Sequence, residues 1–153
     1  MPAVLERVGK GVTVESPLLP VHHGLLHNLR ILAVEDQDDS RDLLQYLLER
    51  EGAVVQAVRS VPEARAALRE GPFDLLVADL GLPDEDGYSL IRTIREGFPA
   101  PAREIRAVAL TAYAGDSYRA KALAAGYDAY LAKPIEITTL THVLVDLISR
   151  SAG

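Results

Sequence analysis

The sequence has no cysteine. That absence excludes disulfides, cysteine-ligated zinc and thiol catalysis, and it leaves the redox compartment unread. Nor is there an excess of basic charge: 16 Lys and Arg stand against 22 Asp and Glu, for a formal net charge of −6. With no basic stripe to neutralise a phosphate backbone, direct nucleic-acid binding is not expected. The longest apolar runs fall far short of the roughly 20 residues that a membrane-spanning helix needs. The opening MPAVLERVGK lacks the basic-then-apolar order of a secretion signal. A cytoplasmic location with no membrane contact is the expectation. There is also no internal repeat, no G-x-x-x-x-G-K-[ST] phosphate loop and no G-x-S-x-G elbow.

What is present is one domain's worth of chain. Its 153 residues are 48% hydrophobic and 25% charged, enough to bury a self-sufficient core. Residues 1–28 read as an N-terminal extension or linker, with Pro2, Pro17 and Pro20, the histidines His22, His23 and His27, and little helical period. From residue 29 to about 150, short apolar runs alternate with helical patterns. Strands are expected over 29–34, 53–58, 73–78, 105–110 and 129–132. Helices are expected over 38–50, 62–70, 88–96, 116–125 and 135–149, with Pro62 in a first turn and Gly126 as a stop. Gly87 reads as a turn residue needing positive φ. This alternation is that of βαβ units, hence an α/β fold with a parallel sheet covered on both faces.

In open sheets of this kind, ligands bind beyond the carboxyl ends of the strands. The residues that end the apolar runs are Glu35 and Asp36, then Asp79, Thr111 and Lys133. Taken singly, each has a plain structural reading: an acid after a strand is commonly a helix cap, and a Lys before Pro is commonly on the surface. Together they bring three carboxylates, one hydroxyl and one ammonium to one sheet edge. Clustered carboxylates repel unless a cation neutralises them, and a few hard oxygens with water suit Mg²⁺. An Asp beside such a metal, with Lys and Thr donors aimed at the same space, is placed to attack a phosphoryl group.

The segments Val34-Glu35-Asp36, Ala78-Asp79-Leu80-Gly81-Leu82-Pro83 through Asp86-Gly87, Leu110-Thr111-Ala112 and Tyr130-Leu131-Ala132-Lys133-Pro134 resemble the signature of two-component receiver domains. The resemblance covers residues 29–150 and implies a flavodoxin-like doubly wound (βα)5 fold with strand order 2-1-3-4-5. It implies that Asp79 is the phosphoacceptor and that Glu35, Asp36, Asp79 and the Gly81 carbonyl hold Mg²⁺. By the same resemblance Thr111 and Lys133 contact the phosphoryl oxygens, Tyr130 swings inward as a switch with Thr111, and the Lys133–Pro134 bond is cis. The implied partners are a histidine kinase or histidine phosphotransfer protein, with a downstream protein on the face of helix 4, strand 5 and helix 5. A homodimer is left open. Such a module phosphorylates and dephosphorylates itself rather than turning over a substrate.

Two positions depart from the family pattern. Gly81 carries no side chain over the phosphoryl group, and Tyr113 is bulky, so both bear on the lifetime of the phosphorylated state. A small α/β phosphohydrolase is the competing reading, against which no second Asp lies two residues after Asp79. A degenerate receiver is the other, and no acid, Thr or Lys is missing. The chain stops soon after the last helix, so no output domain is expected to follow. The chain is then either a stand-alone regulator, with residues 1–28 an ordinary tail, or the receiver of a hybrid kinase, since Gly9-Lys10-Gly11-Val12-Thr13-Val14 resembles the end of a kinase ATP-binding domain. His142 is expected on the surface.

Overall fold

The computed structural model describes residues 24–81, 86–113 and 115–152, with residues 151 and 152 by backbone alone. The readings made on residues 1–23, with His22 and His23, and on Leu82 and Pro83 lie outside the described residues. Five strands and five helices alternate: β1 Arg30–Val34, α1 Asp38–Arg50, β2 Val54–Val58, α2 Val61–Glu70, β3 Leu75–Asp79, α3 Gly87–Gly97, β4 Arg106–Thr111, α4 Asp116–Ala125, β5 Ala129–Ala132 and α5 Ile137–Ala152. A short 3₁₀ turn, Ala102–Glu104, precedes β4. The sheet order is β2-β1-β3-β4-β5, and all pairings are parallel.

Strand periodicity explains why the central strands are apolar without a break. Leu32, Val34, Leu76, Ala78, Ala107 and Ala109 face α2 and α3. Their alternates Ile31, Ala33, Leu75, Val77, Val108 and Leu110 face α1 and α5. Each fully buried Leu or Ile in these layers contributes about 1.5–3 kcal/mol. Helix α4 is different, because it buries only Ala122 and Ala125.

Helix ends follow local chemistry. Ser60 caps α2 by accepting from Glu63 N at 3.3 Å, while Glu63 reaches back to Arg59 N at 2.9 Å. Glu136 accepts from both the backbone N and the hydroxyl of Thr139, so α5 starts at Ile137 rather than at Ile135. At β3, Asp74 spends its side chain on Arg30 N at 2.8 Å, and the strand proper begins at Leu75 rather than Phe73. Gly126 ends α4 with φ 131°, as expected of a helix stop.

The expectation for Gly87 is corrected. It is not among the positive-φ glycines; it is the first, buried residue of α3. A Cβ there would lie 2.8 Å from the Asp79 carbonyl oxygen and 3.0 Å from Leu80 Cα, so close backbone approach is what requires glycine. The segment from Gly24 to Asn28 packs on the α1–β2 turn. Gly24 N and Leu26 N donate to Glu51 O, Asn28 N donates to Gly52 O, and Leu26 is fully buried.

Candidate functional site

The carboxyl ends of β1, β3, β4 and β5 converge on one edge, and there the structure places the residues singled out from the sequence. Glu35, directly after β1, is 2% exposed, Asp79 at the end of β3 is 6%, and Thr111 at the end of β4 is 3%. Lys133, just past β5, donates from Nζ to Glu35 Oε1 at 2.7 Å and to Asp79 Oδ2 at 3.0 Å. One ammonium thus bridges two buried carboxylates from separate strands. The other Asp79 oxygen accepts from Gly81 N at 3.0 Å, and Glu35 Oε2 accepts from Gln37 N at 3.2 Å. Arg41 holds the loop after β1 by donating to the Glu35 carbonyl at 3.2 Å and to Asp38 at 2.5 Å.

Electrostatics follow from this burial. Desolvation pushes the Glu35 carboxyl above its usual range, and the hydrogen bonds from Lys133 and Gln37 offset only part of that. For Lys133, burial works to lower the ammonium, but hydrogen bonds to Glu35 and Asp79, with their charges, outweigh it. The ammonium is held above its ordinary value. Glu35, Asp36 and Asp79 each offer one carboxylate oxygen, all within 4.8 Å of one another, and form the only such grouping among the described residues. Three carboxylates against one ammonium leave an excess of negative charge on hard oxygen donors, which fits a small divalent cation. His27 and His142 are both exposed and lie apart from it.

Beside this cluster opens a cleft of about 340 Å³, lined by Asp79, Gly81, Thr111, Tyr113 and Lys133. Thr111 Oγ1 accepts from Tyr113 N at 3.1 Å, which leaves its O–H available as a donor. Tyr130 is half-buried, and its hydroxyl donates to the Tyr113 carbonyl. The Lys133–Pro134 peptide is cis, as is Ala100–Pro101, which nothing in the sequence had suggested. Four further residues line the cleft that strand-end reasoning missed: Asp86, Tyr88, Tyr118 and Lys121. Asp86 caps α3 through Ser89 N at 2.8 Å, and its D-x-x-S spacing was a readable signal. Tyr118 and Lys121 sit on a helix without a clear apolar stripe, so no pattern pointed to them.

The family model of the response regulator receiver domain matches residues 31–145. The chain belongs to this family. Among its relatives, an uncharacterised 14.6 kDa protein of Leptolyngbya boryana is 42% identical over 120 residues, covering 78% of this chain and 89% of the other. The virulence transcriptional regulatory protein PhoP of Salmonella typhimurium is 35% identical over 125 residues, 82% of this chain but 54% of its own length. The chain therefore spans about half of that regulator. Among solved structures, a two-component response regulator from Clostridium difficile aligns with TM-score 0.75 at 25% identity, covering 82% of this chain and all of the other. The receiver domain of a sensor histidine kinase from Pseudomonas aeruginosa, with a magnesium ion in its active-site cleft, aligns with TM-score 0.73 at 32% identity. It covers 80% of this chain and 98% of that one. As a receiver, the chain has a phosphoacceptor role in two-component signalling and interacts with a histidine kinase or phosphotransfer protein. Among the described residues, no helix of this receiver is long and apolar enough to cross a membrane.

Proposed function

We propose that Asp79 takes the phosphoryl group from a phosphohistidine, in the cytoplasm, with Mg²⁺ held by Asp36, Asp79, the Gly81 carbonyl and, directly or through water, Glu35. The observation that carries this reading is the Lys133 ammonium bridging Glu35 and Asp79 within 3.0 Å, beside the buried Thr111. When bound, the metal supplies positive charge for phosphoryl oxygens and carboxylates together. The chain's own residues do the rest. Gly81 N and Lys133 fix the two Asp79 oxygens, so the nucleophile meets phosphorus without first losing rotational freedom. Lys133 can turn its proton donors to a phosphoryl oxygen as charge spreads in the transition state, and the Thr111 hydroxyl can serve a second.

Thr111 and Tyr130 form the switch in this reading. The Tyr113 backbone links them, since its N–H is held by the Thr111 hydroxyl oxygen and its carbonyl by the Tyr130 hydroxyl. Drawing Thr111 toward a phosphoryl oxygen breaks the first bond and frees the second to rearrange. The face of α4, β5 and α5 then changes for a downstream protein, as a shift between two packings. Gly81 and Tyr113 at the cleft set how readily water reaches the phosphorus.

Acetyl phosphate with Mg²⁺ should label Asp79, read by mass spectrometry, and Asp79→Asn should abolish the labelling. Asp36→Ala or EDTA should also suppress it. Labelling of Asp79→Asn at the parent rate would sink the acceptor assignment, and undiminished labelling in EDTA would sink the metal's role.

A further inference from the structure

We propose that Tyr118, stacked on Tyr113, forms an aromatic rim that selects phosphoryl donors whose leaving group is a flat nitrogen heterocycle over donors with an acyl leaving group. This rests on Asp79 being the acceptor. The two rings lie 5.4 Å apart at an interplanar angle of 22° and line the same cleft as Asp79, Thr111 and Lys133. They are also open to solvent, Tyr113 by 62% and Tyr118 by 43%. Among the described residues, the cations that lie over rings take Phe73, Tyr46, Phe98 and Tyr88. Lys121, the nearby ammonium, sits 4.3 Å from the Tyr88 ring centre, so among the described residues no cation covers the Tyr113–Tyr118 pair. The rim is not adrift either, since Tyr113 is tied through its backbone to Thr111 and Tyr130.

The reaction's geometry gives this rim a task. Phosphorus must face Asp79, and the leaving group must lie in line on the far side, toward the cleft mouth. A flat heterocycle there can meet a tyrosine edge-to-face or offset, and a protonated one gains from the negative ring face as well. In the transfer the P–N bond breaks and a P–O bond to the Asp79 carboxylate forms. A ring already protonated on its second nitrogen departs as the neutral heterocycle, so no further proton is needed. An acyl leaving group offers no ring, and it departs as an anion.

The test compares phosphoimidazole with acetyl phosphate as donors to the same protein, at fixed Mg²⁺, reading the rate at which Asp79 is modified. The quantity of interest is the ratio of the two rates, which a general loss of folding or of metal would leave unmoved. Tyr118→Ala should lower the phosphoimidazole-to-acetyl-phosphate ratio about 2- to 10-fold, the range expected for one aromatic contact. Tyr118→Phe, which keeps the ring, should retain the parent ratio. An unchanged ratio in Tyr118→Ala, or a Tyr118→Phe ratio that falls as far as the alanine variant's, would overturn the selectivity. If neither donor modifies Asp79 in the parent protein, the acceptor assignment fails and this proposal fails with it. Modification by both donors with an unmoved ratio removes the proposal alone.

Discussion

Replacing Gly87 by alanine should damage fold and site together, because of where the added methyl would go. Gly87 opens α3 directly against the end of β3, and its N–H donates to Leu80 O at 3.1 Å. Its carbonyl accepts from the buried Tyr127 hydroxyl at 2.7 Å, so the residue is fixed from both sides. The new Cβ would stand 2.8 Å from the Asp79 carbonyl oxygen, 3.0 Å from Leu80 Cα and 3.0 Å from Leu80 Cδ2. Two of these three neighbours are backbone atoms, which cannot swing aside as a side-chain tip can. Forcing a methyl into such a contact costs about 1–3 kcal/mol. Alanine recovers less than the roughly 1 kcal/mol it gains over glycine inside a helix, since this is the first turn. The balance is a net loss of about 1–2 kcal/mol, or a Tm lower by roughly 2–8 °C for a domain of this size. Any relief by movement of the Asp79 carbonyl also displaces Gly81, whose N–H holds Asp79 Oδ1. Labelling of Asp79 by acetyl phosphate should therefore slow as well. Gly97, at the other end of the same helix, has nothing within 4 Å of a built Cβ and serves as the control. Gly97→Ala should be neutral or stabilising. Thermal unfolding by circular dichroism and the labelling rate check both. A Gly87→Ala protein with parent Tm and parent rate would refute the close-approach reasoning.

Three further outcomes are expected. Burial pushes the Tyr127 hydroxyl well above its ordinary value, so above about pH 10 the unfolded chain ionises while the folded one does not. Stability conferred by this group is complete below that pH and declines as pH rises through it. Tyr127→Phe should cost about 1 kcal/mol at neutral pH and show a shallower alkaline decline, and parallel profiles would contradict this. Asp128 joins Arg95 at 3.2 Å, Arg106 at 3.3 Å and Ala107 N at 2.8 Å. Asp128→Ala should cost about 1–3 kcal/mol in urea unfolding, with Asp128→Asn losing less; equal stability of the alanine variant would dismiss this hub. Tyr113→Ala should shorten the phosphorylated lifetime, measured as loss of the Asp79 modification after donor removal, and Gly81→Asn should alter it. An unchanged or longer lifetime in Tyr113→Ala would show that the ring does not guard the phosphoryl group.

The strand-end logic made the site legible because a parallel sheet aligns its carboxyl ends whatever the loops do. Glu35, Asp79, Thr111 and Lys133 meet there for that reason. Helix α1 and strand β5 begin and end where periodicity puts them. At the starts of β3 and α5, where the bounds shifted, a side chain had taken up a backbone donor out of view of any pattern: Asp74 with Arg30, Glu136 with Thr139. Gly87 was misread because a glycine for positive φ and a glycine for close approach look alike in one dimension. The aromatic side of the cleft was illegible for another reason. Tyr118 and Lys121 belong to a helix whose core contacts are two alanines, too small a signal to orient the helix from the sequence.

That slight anchorage has a consequence for how the surface can vary. Every side chain from Asp116 to Ala120 is exposed, so exchanges there away from Tyr118 should each change fold stability by no more than about 0.5 kcal/mol. The strands that carry Glu35, Asp79 and Thr111 have no such latitude, because each of their faces is filled. The exposed positions of α4 other than Tyr118 and Lys121 could be rewritten while the phosphoryl site on the strands stays as it is.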